Sequence, residues 1–346
     1  MKVKLKLKIR CEKMYIKDML KYRNVWLGIA MIWIVLFHVN IGVDFAPLAF
    51  IKAIGYGGVD ICLFASGIGC YFSLDKNSDI SSFIKRRFLR IGPEYLIFII
   101  CWLVYKAISG SLSISMALGN LLGVQTLTGK DNSFNWYISA IVIFYFLAPY
   151  LKKTADKLTA IKHIIFIAFL LVLTIPFWSV NNWIIILTRI PIYYIGMVFA
   201  KACKSEYLIN KRLIFTVSLF SFIGVAALWI SMQYFGAHLW SKGLYWYPFI
   251  FITPGLCIVA AYVINLIKVK KIKNLLDIIG RYSFEIYLIH IPLIEIINII
   301  INKFSLQNYS VFIWLAGIIP LIIGCIILKK ATDACLKLVN RMKPNA

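Results

Sequence analysis

A titratable side chain inside an apolar run is costly unless it faces protein or water, so the few such residues mark where chemistry would sit. In this chain they are His38 in IVLFHVN, Asp60 in GGVDICLFASG, Arg90 and Glu94 in FIKRRFLRIGPEYL, Arg189 in TRIPIYYIG, and Glu285, His290 and Glu295 in YSFEIYLIHIPLIEI. Imidazole has a pKa suited to taking a proton from a hydroxyl, and a carboxylate on its second nitrogen would orient it. His38 with Asp60 could form such a base if the two lie at similar depth. Counted along a straight helix from Val25, His38 is about 20 Å from the inner face, which predicts a place in the outer half of the bilayer. The alternative is a histidine bonded to a carbonyl of a neighbouring helix.

Arg86, Arg87 and Arg90 recur at helical spacing and could grip phosphates by paired N–H donors. They would equally serve as positive-inside anchors, with an Arg90–Glu94 pair at i, i+4. Ser283, Tyr287 and His290 form a polar stripe at i, i+4, i+7, which either lines a site or bonds helices together. Glu285 points elsewhere, with Arg281 a candidate partner. Arg189 needs an acidic or carbonyl partner, and Asp60 and Glu295 are candidates by depth.

The elements that hold these residues are apolar helices. Of the 346 residues 61% are hydrophobic, and the mean hydropathy is +0.83. That is far above the roughly 45–50% of a soluble domain. The net charge of +24 would suggest nucleic acid if it formed one patch, but the basic residues fall between apolar runs. No nucleic-acid partner is expected. Eight scattered cysteines form no C-x-x-C pair and no cluster with histidine, so neither a disulfide framework nor a metal site is expected.

A bilayer core of about 30 Å takes roughly 20 apolar residues to cross. Ten runs qualify, at 25–44, 55–74, 90–108, 134–151, 162–178, 183–201, 213–235, 247–267, 282–301 and 311–328. The weaker run 112–128 suits a re-entrant or interfacial helix. Under strict alternation 32 of the 38 lysines and arginines fall on one side, which makes that side cytoplasmic. The expectation is an all-α integral membrane protein in the lipid bilayer of the cell membrane, with about ten transmembrane helices and both termini cytoplasmic. Residues 1–24 form a basic tail, with Met14 or Met19 as alternative starts, 25–328 the transmembrane domain and 329–346 a second basic tail. The first apolar run is too long for a signal-peptide core, so cleavage is not expected. Trp26, Trp102, Trp136, Tyr137, Trp183 and Trp246 lie near span ends and read as interfacial anchors.

Together these pieces resemble the acyltransferase-3 family of membrane O-acyltransferases across residues 23–328. The matching pieces are the first-span histidine of IVLFHVN, GGVDICLFASG with Ser66 and Gly67, and the Arg-x-x-Arg of Arg87 and Arg90. NWYISAIVIFYFLAPYL, RIPIYYIG and YSFEIYLIHIPLI follow in the same order. The resemblance implies transfer of an acyl group, often acetyl, from cytoplasmic acyl-CoA to a hydroxyl of an extracytoplasmic polysaccharide or other glycan. No cofactor would be bound permanently, since acyl-CoA serves as co-substrate. His38 then looks like the base, oriented by Asp60, and Arg86, Arg87 and Arg90 look like donor-binding residues. Ser66, Arg189, Tyr287 and His290 would line the site. Two departures stand out. The family's arginine eleven residues before the histidine is Leu27 here, with Arg23 one turn further away, and no glutamate follows Trp136. The chain also carries no appended hydrolase-like domain. A transporter or a small-molecule uptake module is the competing reading, although the repeated halves common in transporters are absent.

Overall fold

The computed structural model describes residues 14–128, 136–178, 181–267 and 270–341. Fourteen α-helices account for most of them, and no strand occurs among the described residues. They are α1 Arg23–His38, α2 Ala46–Ala53, α3 Gly58–Lys76, α4 Ile80–Ile108, α5 Ile114–Leu121, α6 Trp136–Lys157 and α7 Ala160–Val172. After these come α8 Asn181–Leu187, α9 Ile190–Ala202, α10 Lys211–Ser241, α11 Phe249–Ile267, α12 Lys270–Arg281, α13 Ser283–Lys303 and α14 Ser310–Arg341.

Ten helical stretches are long and apolar enough to cross a membrane, in agreement with the ten runs read from the sequence. The chain is therefore a multi-pass membrane protein. The weak run 112–128 is not a span. It folds as the short helix α5 and a 3-10 turn at Gln125–Thr128, and the Ser139 hydroxyl donates to the Gly123 carbonyl at 2.6 Å. The sequence reading did not foresee α12, where Ile272, Leu275 and Ile278 share an exposed helix with Lys270 and Lys271. That pattern suits a helix lying along the bilayer interface.

The first span departs from its predicted limits. A 3-10 helix at Ile16–Tyr22 leads into α1, which stops at His38 rather than at residue 44, and residues 39–44 are not helical. Asn40 and Gly42 weaken the helix there, and Val39 and Val43 are β-branched. Trp26 and Trp246 also depart from expectation, being 1% and 4% exposed. Trp26 packs against Phe64 and Phe199, so these indoles belong to the interior rather than to an interfacial belt.

The chain divides into two compact units, with boundaries inside α1, α3 and α6. One comprises residues 1–33, 56–72 and 150–281. In it α10 packs on α11, and α9 packs on α7 and α11. Helices α3 and α9 approach through Gly67 and Gly196, where an added Cβ would fall 2.1 Å from the Tyr193 carbonyl oxygen and 2.2 Å from that of Phe64. Only glycine permits this backbone contact. The other unit comprises residues 34–55, 73–149 and 282–346, and is built on α4, α13 and α14. Asp79 caps α4 by accepting from the Ser82 N–H at 2.7 Å. The Ser82 hydroxyl, and after it this N–H, hold the Asp79 carboxyl below the usual aspartate range.

Candidate functional site

His38 is the last residue of α1, and its ring is exposed. Its Nδ1 lies 2.9 Å from the Ile34 carbonyl oxygen. A carbonyl only accepts, so in the neutral ring the proton sits on Nδ1 and Nε2 offers a lone pair. The stop in α1 is thus also the point at which a base is presented. His290, on α13, is fixed in the same way. Its Nδ1 contacts the carbonyls of Ile286 at 3.0 Å and Tyr287 at 2.7 Å. The His290 ring is 2% exposed, and its Nε2 has no hydrogen-bond partner.

The two imidazoles meet edge to face with centroids 5.2 Å apart. Tyr287 is 6.0 Å from His290, and Tyr137 is 5.0 Å from Tyr287. Two neutral rings, each with a free Nε2 lone pair, therefore stand side by side, one accessible and one enclosed. Leaving a buried acceptor unpaired costs about 1–3 kcal/mol, which packing must offset. Measured along α13, His290 is seven residues from Ser283 and thirteen from Lys303, so about 20 Å of helix continues beyond the pair.

The arginines of α4 separate by burial. Arg87 is 7% exposed, with its guanidinium 5.3 Å from the Phe83 ring and 6.0 Å from the Tyr145 ring. Arg86 and Arg90 are exposed, and Arg86 reaches the Ser73 carbonyl at 3.5 Å. The Arg90–Glu94 pair considered from the sequence does not form. Glu94 is 4% exposed and interacts with Glu285 and Lys329. The Lys329 ammonium lies 3.4 Å from Glu285, and Arg281 pairs with Asp277 instead of Glu285. This Glu94–Glu285–Lys329 group joins α4, α13 and α14. Sequence reading missed it because its members are far apart in the chain.

Asp60 and Arg189 form an ion pair in the other unit. They are 2% and 1% exposed, and Arg189 Nε lies 3.8 Å from Asp60 Oδ2. Of the two partners considered for Arg189, the one found is Asp60. Arg189 also donates to the Ile185 carbonyl at 2.8 Å, and its guanidinium lies 4.5 Å from the Trp246 ring centroid. The hydrogen bond that orients His38 is donated by its Nδ1–H to the Ile34 carbonyl, and the charge that faces Asp60 is Arg189. Ser66 is half-buried on α3, and Arg23 reaches the neighbouring Ala65 carbonyl at 3.4 Å. A cavity of about 390 Å³ beside α7, α8 and the start of α9 is lined by Leu170, Phe177, Trp183, Leu187 and Ile190 and holds no titratable group.

Comparison with protein-family models finds one, described as an acyltransferase domain of the acyltransferase-3 type, that matches residues 24–330. No curated protein and no solved structure matches the chain.

Proposed function

The chain belongs to the acyltransferase-3 family, and on that premise we propose that it moves an acyl group, acetyl in the first instance, from cytoplasmic acyl-CoA to a hydroxyl of an extracytoplasmic polysaccharide or glycan. The observation that carries this reading is the His38 imidazole at the exposed end of α1, held as the Nδ1–H tautomer so that Nε2 carries the lone pair. In the reaction the acceptor hydroxyl gives its proton to Nε2 as its oxygen attacks the thioester carbonyl. The C–S bond then breaks, and the departing coenzyme A thiolate takes the proton back from the imidazolium. Atoms and charge balance without a further reactant. Transient acyl transfer to Nε2 is a second route through the same atom.

Arg86 and Arg90, exposed on α4, supply cations for the donor's phosphates, while Arg87 is held between rings and sets the helix's orientation. Asp60 acts within its own unit as the partner of Arg189. His290 and Tyr287 form the wall behind His38. The test is release of free thiol from acetyl-CoA by the purified protein. A positioned general base contributes about 10²–10⁴-fold, so His38→Ala is expected to lower turnover by that factor. Wild-type protein that neither binds nor turns over acetyl-CoA, yet carries a solute across a bilayer, would sink the reading in favour of a transporter.

A further inference from the structure

Residues 38–44, His-Val-Asn-Ile-Gly-Val-Asp, alternate strictly in exposure. His38, Asn40, Gly42 and Asp44 are exposed, Val39 is buried, and Ile41 and Val43 are half-buried. This is the period of an extended chain with one face packed and the other open. The packed face is explicit, since Val39 and Ile41 lie against Ile294, Ile297, Ile301 and Trp314 of α13 and α14. On the open face, neither Asn40 nor Asp44 is engaged in a hydrogen bond or ion pair among the described residues. The backbone N–H groups of Asn40, Gly42, Val43 and Asp44 likewise find no partner there. A Cβ added at Gly42 would meet nothing within 4 Å.

Unpaired backbone beside a membrane span is tolerated only where it lines water or ligand, and polar side chains directed at lipid would be costly. The segment therefore presents a solvent-facing polar edge that ends at His38. We infer that this edge is the acceptor subsite. A neutral polyhydroxylated acceptor lies along the open edge, with its hydroxyls bonded by Asn40, Asp44 and the backbone between them, and one hydroxyl is thereby brought to His38 Nε2. The chemistry selects that class. A carboxylate accepts from two hydroxyls at once, and an amide both donates and accepts. An anionic acceptor is repelled by Asp44, and a simple alcohol leaves these groups unmatched. This inference rests on the transferase reading of His38 and goes beyond it by giving residues 40–44 a binding role.

The experiment uses purified full-length protein in nanodiscs with acetyl-CoA, and as acceptor probe a mixture of methyl glucoside, methyl galactoside and methyl N-acetylglucosaminide. A parallel reaction contains n-butanol, and ester formation is read by mass spectrometry. Asn40→Ala and Asp44→Asn are each expected to raise the acceptor KM about tenfold, the size of one lost hydrogen bond involving a charged or bidentate group, with a much smaller change in kcat. Gly42→Phe fills the open edge and is expected to raise it similarly. Retained acetyl-CoA binding reports that each variant is folded. Unchanged acceptor KM in all three variants overturns the subsite. Wild-type protein that acetylates butanol in preference to the glycosides overturns it too, while leaving the transferase reading standing. Absence of His38-dependent thiol release in the wild type overturns the transferase reading itself.

Discussion

Two pairs of polar side chains interrupt the apolar helices of this protein, and they are satisfied in opposite ways. Asp60 and Arg189 carry opposite charges, lie within 3.8 Å, and are almost fully shielded. His38 and His290 are two bases of the same kind whose Nδ1 protons are held by backbone carbonyls, leaving both Nε2 atoms without a partner inside the protein. The first arrangement cancels its charge internally and is shut off from solvent. The second leaves lone pairs available. A polar residue within a membrane span marks function by default, and comparing the pairs refines that rule, since an accessible, uncancelled group separates a reacting residue from a structural one.

Breaking the ion pair is the largest effect expected. Arg189→Met leaves Asp60 as an uncompensated buried charge and should cost about 3–5 kcal/mol. Detergent-solubilised protein should then show a sharply lowered unfolding temperature. If Asp60 acts only through Arg189, the double variant Asp60→Leu with Arg189→Met should recover most of that loss, along with acyl transfer. Recovered stability without recovered transfer would instead give Asp60 a direct role in chemistry.

The histidine pair should respond in the opposite sense. His290→Phe removes a buried unpaired acceptor and replaces it with a ring that packs, so stability should hold or rise. Transfer should nevertheless fall roughly 10- to 100-fold if the second lone pair helps hold the reacting hydroxyl or its proton, a loss of about 1.4–2.8 kcal/mol in barrier terms. The fall should appear in kcat, and His290→Gln, which keeps an acceptor atom, should restore part of it. Full activity in His290→Phe would reduce His290 to packing and leave His38 to act alone.

Much of this contrast was legible in the sequence, but not its geometry. The ten spans were readable because the lysines and arginines sit between apolar runs. The residues of both pairs were readable because few titratable groups interrupt those runs. The early stop of α1 was not, since VNIGV reads as a continuing apolar stretch and only Asn40 and Gly42 hint at a break. Arg281 is four residues from Glu285, whereas Lys329 reaches it from another helix. Local spacing therefore favoured the wrong partner. Trp26 and Trp246 lie near span ends by count, but packing in three dimensions buries them.

The arginines of α4 extend the same comparison at a smaller scale. Arg87 is spent on Phe83 and Tyr145, as Arg189 is on Asp60 and Trp246. Arg86 and Arg90 keep their guanidiniums open to solvent or ligand. Replacing Arg90 by alanine should therefore raise the acyl-CoA KM about three- to tenfold with little change in stability, and the increase should shrink at high salt, as for an exposed contact to phosphate. Arg87→Ala should instead lower the unfolding temperature and affect donor and acceptor kinetics together. If Arg90→Ala leaves the donor KM unchanged at low salt, the exposed arginines belong to the positive-inside anchor and the donor's phosphates are held elsewhere.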